Sequence, residues 1–310
     1  MKTTSNKFTK YDTGKIGIYY LVKIWNYYSE LKNNVKNPEK VEWKYVNGVF
    51  NCLGVGIEPT IKYLMQYNNS FIEFEDWLLK NGRVSNLMVK HFNDLIDAEN
   101  ETETKPEENI FNQEELKEWD KQGYIILKNA IPKTDCQQTV DFIYNQIEAS
   151  KSDPSTWYHQ HPLKQGIMIQ LFNSKLLDKN RFSKKIKLAY HQLWKRNDLM
   201  LSMDRVSFNP PENDEYHFPG PNLHWDMSLK KPIYFGLQGL LYLTDTKEDQ
   251  GAFTLIPGFH NIIDGWLDSL KPDQNPRELI LTKDFTSKPI AGDAGDFIIC
   301  LLYTSDAADA

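Results

Sequence analysis

Near residue 200 the chain changes its hydrophobic period. Upstream, apolar residues recur at three-and-four spacing, as on one face of a helix. Downstream they fall in short runs closed by proline, glycine and aspartate, as in strands joined by tight turns. "LMLSMDRVSFNPP" reads as a strand stopped by its prolines, and "IYFGLQGLLYLTDT" as a long apolar run ending in turn residues. "GAFTLIPGFH" reads as a strand ending at Pro-Gly, and "KPIAGDAGDFII" as a turn followed by a last strand. Short strands bounded by residues that end a ladder suit a jelly roll. No internal repeat of solenoid length interrupts that pattern.

The upstream half divides again. Residues 1–97 make a helical N-terminal region. "GIYYLVKIWNYYSEL" sets Leu21, Ile24, Trp25, Tyr28 and Leu31 on one face, and "SFIEFEDWLLKNG" opens with Ser70, has Glu73 three residues on and ends at Gly82. The region is a small helical packing domain; a docking or lid domain is the sharper alternative. Residues 98–110 contain "AENETETKPEEN", acidic and without a large apolar residue, and form a linker. After it, Asn112 caps a short helix that Gly123 ends, "YIIL" is a strand, and "TDCQQTVDFIYNQIEAS" and "RFSKKIKLAYHQLWKR" are further helices.

Composition narrows the function classes. A 310-residue chain with 40% hydrophobic and 25% charged residues can bury a sizeable core. A net charge of -6 gives no footprint for nucleic acid. The polar start "MKTTSNKFTKYDTGK" has no apolar core of a signal peptide, and "IGIYYLVKIW" is too short to span a bilayer. Cys52, Cys136 and Cys300 lack metal-ligand spacing, so a reducing, cytoplasmic setting is expected and any metal must be held by His and carboxylate.

"GPNLHWDMSLKK" supplies such a pair. In a strand, side chains at i and i+2 face the same way. His224 and Asp226 can then both point into a barrel while Trp225 points out. An imidazole and a carboxylate on one face suit Fe(II) and leave positions open for a co-substrate and dioxygen. The bland alternative is a solvated loop in which Asp226 caps a turn.

The segments "WDKQGYIILKNAIP", "DRVSFNPP", "LHWD", "QGLLYLTDTKEDQGAFTLIPGFH" and "AGDAGDFII", in that order, resemble the phytanoyl-CoA dioxygenase family of Fe(II)- and 2-oxoglutarate-dependent oxygenases. The resemblance runs from Phe111 to Ile299. It implies an α+β chain whose helical N-terminal region precedes a double-stranded β-helix (jelly-roll, cupin-like) core over residues 111–299. It implies Fe(II) as cofactor, 2-oxoglutarate and dioxygen as co-substrates, and a small-molecule substrate. His224 and Asp226 are the implied metal ligands and catalytic residues. Arg205 and Gln238 are the implied 2-oxoglutarate contacts, with a structural ion pair the alternative for Arg205. Asp226 argues against the halogenase variant, which needs a small residue there.

The resemblance places the third ligand, a His, after Gly295 and Asp296, and a 2-oxoglutarate-gripping Arg beyond that. His260, in "PGFH", is not favoured as a ligand. After Ile299 the chain reads "CLLYTSDAADA", without His or Arg. That tail resembles a translated library adapter, so residues 300–310 are expected to be non-native, the core incomplete at its C-terminus and the chain an inactive fragment of its parent. A divergent natural terminus is the alternative. Among other histidines, His159 and His161 suit a loop better than a ligand pair. His91 is expected to be structural, His191 packed or solvated, and His217 near the pocket or exposed. A non-catalytic binding module on the same jelly-roll fold is the rival function, and a scaffold built on the helical region a third.

Overall fold

A computed structural model describes residues 9–97, 108–218, 220, 223–282 and 285–302, with the side chains of 281 and 282 excepted. Most of the linker and the tail from residue 303 onward lie outside the described residues. The chain divides into two compact units.

The first unit holds residues 1–105 with 171–175 and 195–206. Its helices are α1 (Leu21–Lys32), α2 (Trp43–Cys52), α3 (Ile57–Gln66), α4 (Phe71–Asn81) and α5 (Asn86–Asp97). They pack because each brings one apolar stripe: Leu21, Ile24 and Tyr28 meet Val46, Val49, Phe50, Phe74, Leu78 and Phe92 in a single cluster. The capping box forms at α4. The Ser70 hydroxyl accepts from the Glu73 amide at 3.3 Å, and the Glu73 carboxylate accepts from the Ser70 amide at 2.7 Å.

The second unit holds residues 106–170, 176–194 and 207–310. Helix α6 (Gln113–Gln122) begins at Asn112, whose side chain accepts from the amides of Glu114 and Glu115, and ends at Gly123, which has φ 77°. Strand β1 (Tyr124–Leu127), α7 (Lys133–Gln146) and the pair β2 (Lys164–Gln165) and β3 (Met168–Ile169) follow. Then come α8 (Lys175–Arg181), α9 (Lys184–Trp194), β4 (Val206–Ser207), β5 (Leu237–Leu241), β6 (Thr254–Leu255), α10 (Ile263–Asp268), α11 (Pro276–Thr282), β7 (Lys288–Pro289) and β8 (Phe297–Leu301).

The main sheet has the order β1-β8-β5 and is antiparallel throughout, with Ile299 opposite both Ile125 and Gly239. Its central strand, "FIICL", is buried at every position, as a strand covered on both faces must be. One face packs Ile125, Leu127, Phe297, Ile299 and Leu301 against Ile186, Ala189 and Leu193 of α9. The other packs Ile298, Cys300 and Leu240 against Leu255, Phe253 and Ile290 around the antiparallel pair β6 and β7. The result is a mixed helix-and-sheet unit, with a helical layer on one face of the main sheet and a short second sheet on the other.

Several strands are shorter than their apolar runs. Only Val206 and Ser207 of "LMLSMDRVSFNPP" join a ladder; Pro210 and Pro211 have no N–H to continue it. The run from Lys288 to Ile299 breaks into β7 and β8 because Asp293 to Asp296 fold into a turn. Strand β8 runs past Ile299 through Cys300 and Leu301, which pair with Tyr124 and Leu237.

Candidate metal centre

Residues 223–230 alternate strictly between apolar and polar. Trp225 is 2% exposed and packs with Ile256, Phe259, Ile263, Trp266 and Ile280; Leu223, Met227 and Leu229 lie against the same cluster. The intervening Asp226, Ser228 and Lys230 are exposed and His224 is half-buried, but the segment does not form the strand that the sequence suggests: it bends at Asp226 and Met227. A second expectation is corrected too. Trp225 does not point out; it occupies the covered side, because a large ring gains most from burial and α10 and α11 supply the apolar cover. The side chains of His224 and Asp226 keep 29% and 37% of their surface.

The pair itself is formed. His224 Nε2 stands 3.3 Å from Asp226 Oδ1. Two donors each about 2.1 Å from one first-row metal ion, at roughly a right angle, stand about 3 Å apart. The spacing and donor chemistry thus suit two ligands of an Fe(II) site. Among the described residues no group of three or more His, Cys, Asp and Glu side chains is arranged to hold a metal. Among the described residues the donor set at this pair is His224 and Asp226.

The segment carrying the pair is tied to the helices beneath it. Arg277, at the start of α11, donates from Nη1 to the Trp225 carbonyl at 2.5 Å and from Nη2 to the Met227 carbonyl at 2.6 Å. Lys231 donates to the Asp264 carbonyl at 2.9 Å and to the Asp268 carboxylate at 2.6 Å, both on α10. Neither tie is legible in the sequence. "NPRE" signals a helix start, but nothing in it names a partner some fifty residues upstream.

His260 has a different setting. Its Nε2 lies 2.9 Å from the Asp120 carbonyl, and the Gly258 amide donates to the Gln122 carbonyl at 2.8 Å. The Pro-Gly turn is docked on the last turn of α6, where carbonyls lack helical partners.

Gly295 and Asp296 form a second built turn. Asp296 is 1% exposed, and its carboxylate accepts from Lys128 Nζ at 2.6 Å, the Asp293 amide at 2.9 Å and the Asn129 amide at 3.1 Å. Burial pushes its pKa up, but these donors outweigh burial and hold it below the usual carboxylate value. Lys128 is pushed the other way, above the usual ammonium value, by the same carboxylate.

Arg205 lies in the first unit, one residue before β4 rather than within a strand. Its guanidinium meets Glu58 at 3.2 Å and Asp204 at 3.7 Å, which is the ion-pair alternative. Gln238 lies on β5, half-buried, on the face it shares with Leu240 toward the second sheet. His159 and His161 sit in a loop with rings 6.1 Å apart; His159 Nδ1 contacts the Thr156 carbonyl and His161 Nδ1 accepts from the Leu163 amide. His191 is buried, while His91 and His217 are exposed.

The chain is similar to a Dictyostelium discoideum protein named "Putative phytanoyl-CoA dioxygenase", with 26% identity over 200 residues covering 50% of this chain and 57% of that protein. The chain thus spans little more than half the length of the relative it matches. The likeness to the phytanoyl-CoA dioxygenase family rests on this extended similarity as well as on the individual motifs. No protein-family model matches the chain. Among solved structures, the non-heme alpha-ketoglutarate-dependent epimerase SnoN of nogalamycin biosynthesis is 13% identical, with a TM-score of 0.41 over 64% of this chain and 77% of that one. A hypothetical protein from Escherichia coli is 14% identical, with a TM-score of 0.43 over 63% and 64%. Overlaps of this size carry no information about residues 224 and 226. No helix among the described residues is long and apolar enough to cross a membrane.

Proposed function

We propose that the chain belongs to an Fe(II)- and 2-oxoglutarate-dependent oxygenase built on a double-stranded β-helix, acting on a small-molecule substrate. The observation that carries this reading is the 3.3 Å approach of His224 Nε2 to Asp226 Oδ1 on one side of the chain, in a sequence similar to a phytanoyl-CoA dioxygenase. Bound Fe(II) would supply sites at which 2-oxoglutarate and dioxygen are brought together, so that oxidative decarboxylation drives oxidation of the substrate. The chain's own part is to present one imidazole nitrogen and one carboxylate oxygen from a backbone anchored by Trp225. Gln238, on the sheet face turned toward β6 and β7, is a candidate contact for the co-substrate. Arg205 is instead engaged by Glu58.

The test is an anaerobic Fe(II) titration with 2-oxoglutarate, followed through the visible metal-to-ligand charge-transfer band. A band that needs both His224 and Asp226 supports the reading. A band that forms equally well in His224→Ala overturns the reading and leaves a binding module on the same fold.

A further inference from the structure

The carbonyls that Arg277 grips are those on either side of Asp226. A guanidinium is a planar fork with fixed N–H directions, so holding both carbonyls fixes the Trp225–Asp226 and Met227–Ser228 peptide planes, which bracket the bend at Asp226 and Met227. The backbone bends at Asp226 and Met227, and the bend lets two carbonyls in i and i+2 positions converge on one fork. Holding the bend also holds the carboxylate against the His224 ring.

Arg277 is itself well placed for this. Asn275 caps the start of α11, its Oδ1 accepting from the Arg277 amide at 3.0 Å and its Nδ2 donating to the Glu278 carboxylate at 2.8 Å. Ile280, three residues on and so on the same helix face, is 2% exposed in the cluster that buries Trp225. One helix therefore supplies the apolar floor under Trp225 and the polar clamp over its carbonyl.

We propose that Arg277 is a positioning residue that sets the metal affinity of the His224–Asp226 pair by fixing the backbone at either end of the Asp226–Met227 bend. This inference rests on the metal reading of that pair. Groups that orient a ligand change metal affinity by roughly 10- to 100-fold when removed.

The experiment is a Mn(II) titration of the full chain, counting free ion by its six-line paramagnetic resonance signal, with His224→Ala identifying the site. Arg277→Met removes the donors and keeps much of the length; Arg277→Lys keeps charge and a donor but loses the fork. We expect one His224-dependent site in the unaltered chain, weakened about tenfold or more in Arg277→Met and restored in part by Arg277→Lys, with near-unchanged circular dichroism. If Arg277→Met fails to fold, Arg277→Lys alone must still bind several-fold more weakly than the parent. A His224-dependent site of unchanged affinity in the folded Arg277 variants overturns the role of Arg277 and leaves the metal reading standing. No His224-dependent site in the unaltered chain overturns both.

Discussion

The ammonium of Lys128 lies 2.6 Å from the carboxylate of Asp296, a side chain with 1% of its surface exposed. Lys128 follows β1 directly and Asp296 precedes β8, so the contact closes the end of the ladder between them. Asp296→Asn removes the charge from a carboxylate that accepts three hydrogen bonds. Urea unfolding should show a loss of about 2 kcal/mol. The pH dependence has a definite sign. The folded pKa of Asp296 is depressed, so its contribution is present above the unfolded value of about 3.9 and is lost as pH falls through the lower folded value. The parent should therefore lose stability more steeply than Asp296→Asn below about pH 4. Parallel profiles would contradict this account.

Tyr242 joins the strands of the second sheet through one oxygen. Its hydroxyl donates to the Ile290 carbonyl at 2.7 Å and accepts from the Phe253 amide at 2.9 Å, and burial pushes its pKa up to about 12. Tyr242→Phe leaves both backbone groups without this partner and should cost roughly 1–3 kcal/mol. Amide exchange at Phe253 should quicken at the same time. Unchanged exchange there would mean that the hydroxyl does not hold the strands together.

Gly295 has φ +96°, and a Cβ built on it would stand 2.5 Å from the Ile131 carbonyl oxygen. Its own carbonyl accepts from the Ala130 amide at 2.7 Å, so the backbone cannot retreat without losing that bond. Gly295→Ala should lower stability by roughly 1–3 kcal/mol, measurable as a fall in Tm. A variant as stable as the parent would show that the turn adjusts freely.

His260→Ala and His224→Ala should part company. His260 holds a turn on α6 through one hydrogen bond, so its loss should cost about 1 kcal/mol of stability and leave Mn(II) affinity near that of the parent. His224→Ala should do the reverse, removing the site with little change in stability, since the ring is part-exposed. Equal loss of the ion in both variants would make His260 a ligand.

Signals carried by neighbours in sequence were legible. The caps at Ser70 and Asn112, the stop at Gly123 and strand β1 each depend on residues within a few positions, and each is formed. The approach of His224 to Asp226 joins residues two apart, but it is made across a bend at Asp226 and Met227 and not along the strand that the sequence suggested. The covered side of that segment was not legible, because it is decided by Trp266, Phe259 and Ile280, which lie far downstream. The same holds for Arg277 and for Lys128 with Asp296, joined across 168 positions. Strand length in "LMLSMDRVSFNPP" was overread: apolar runs record burial, whereas a ladder also needs N–H groups, which Pro210 and Pro211 lack; the turn before β8 was read as it stands.

Trp225 sits in sequence between the two candidate ligands and in space 5.9 Å, ring to ring, from Trp266 at a tilt of 39°. Two indoles held so closely at a fixed angle couple their electronic transitions, and the coupling vanishes once either ring turns freely. The segment that presents His224 and Asp226 therefore carries its own optical gauge. Its order can be followed in circular dichroism without a label, a ligand or a known substrate.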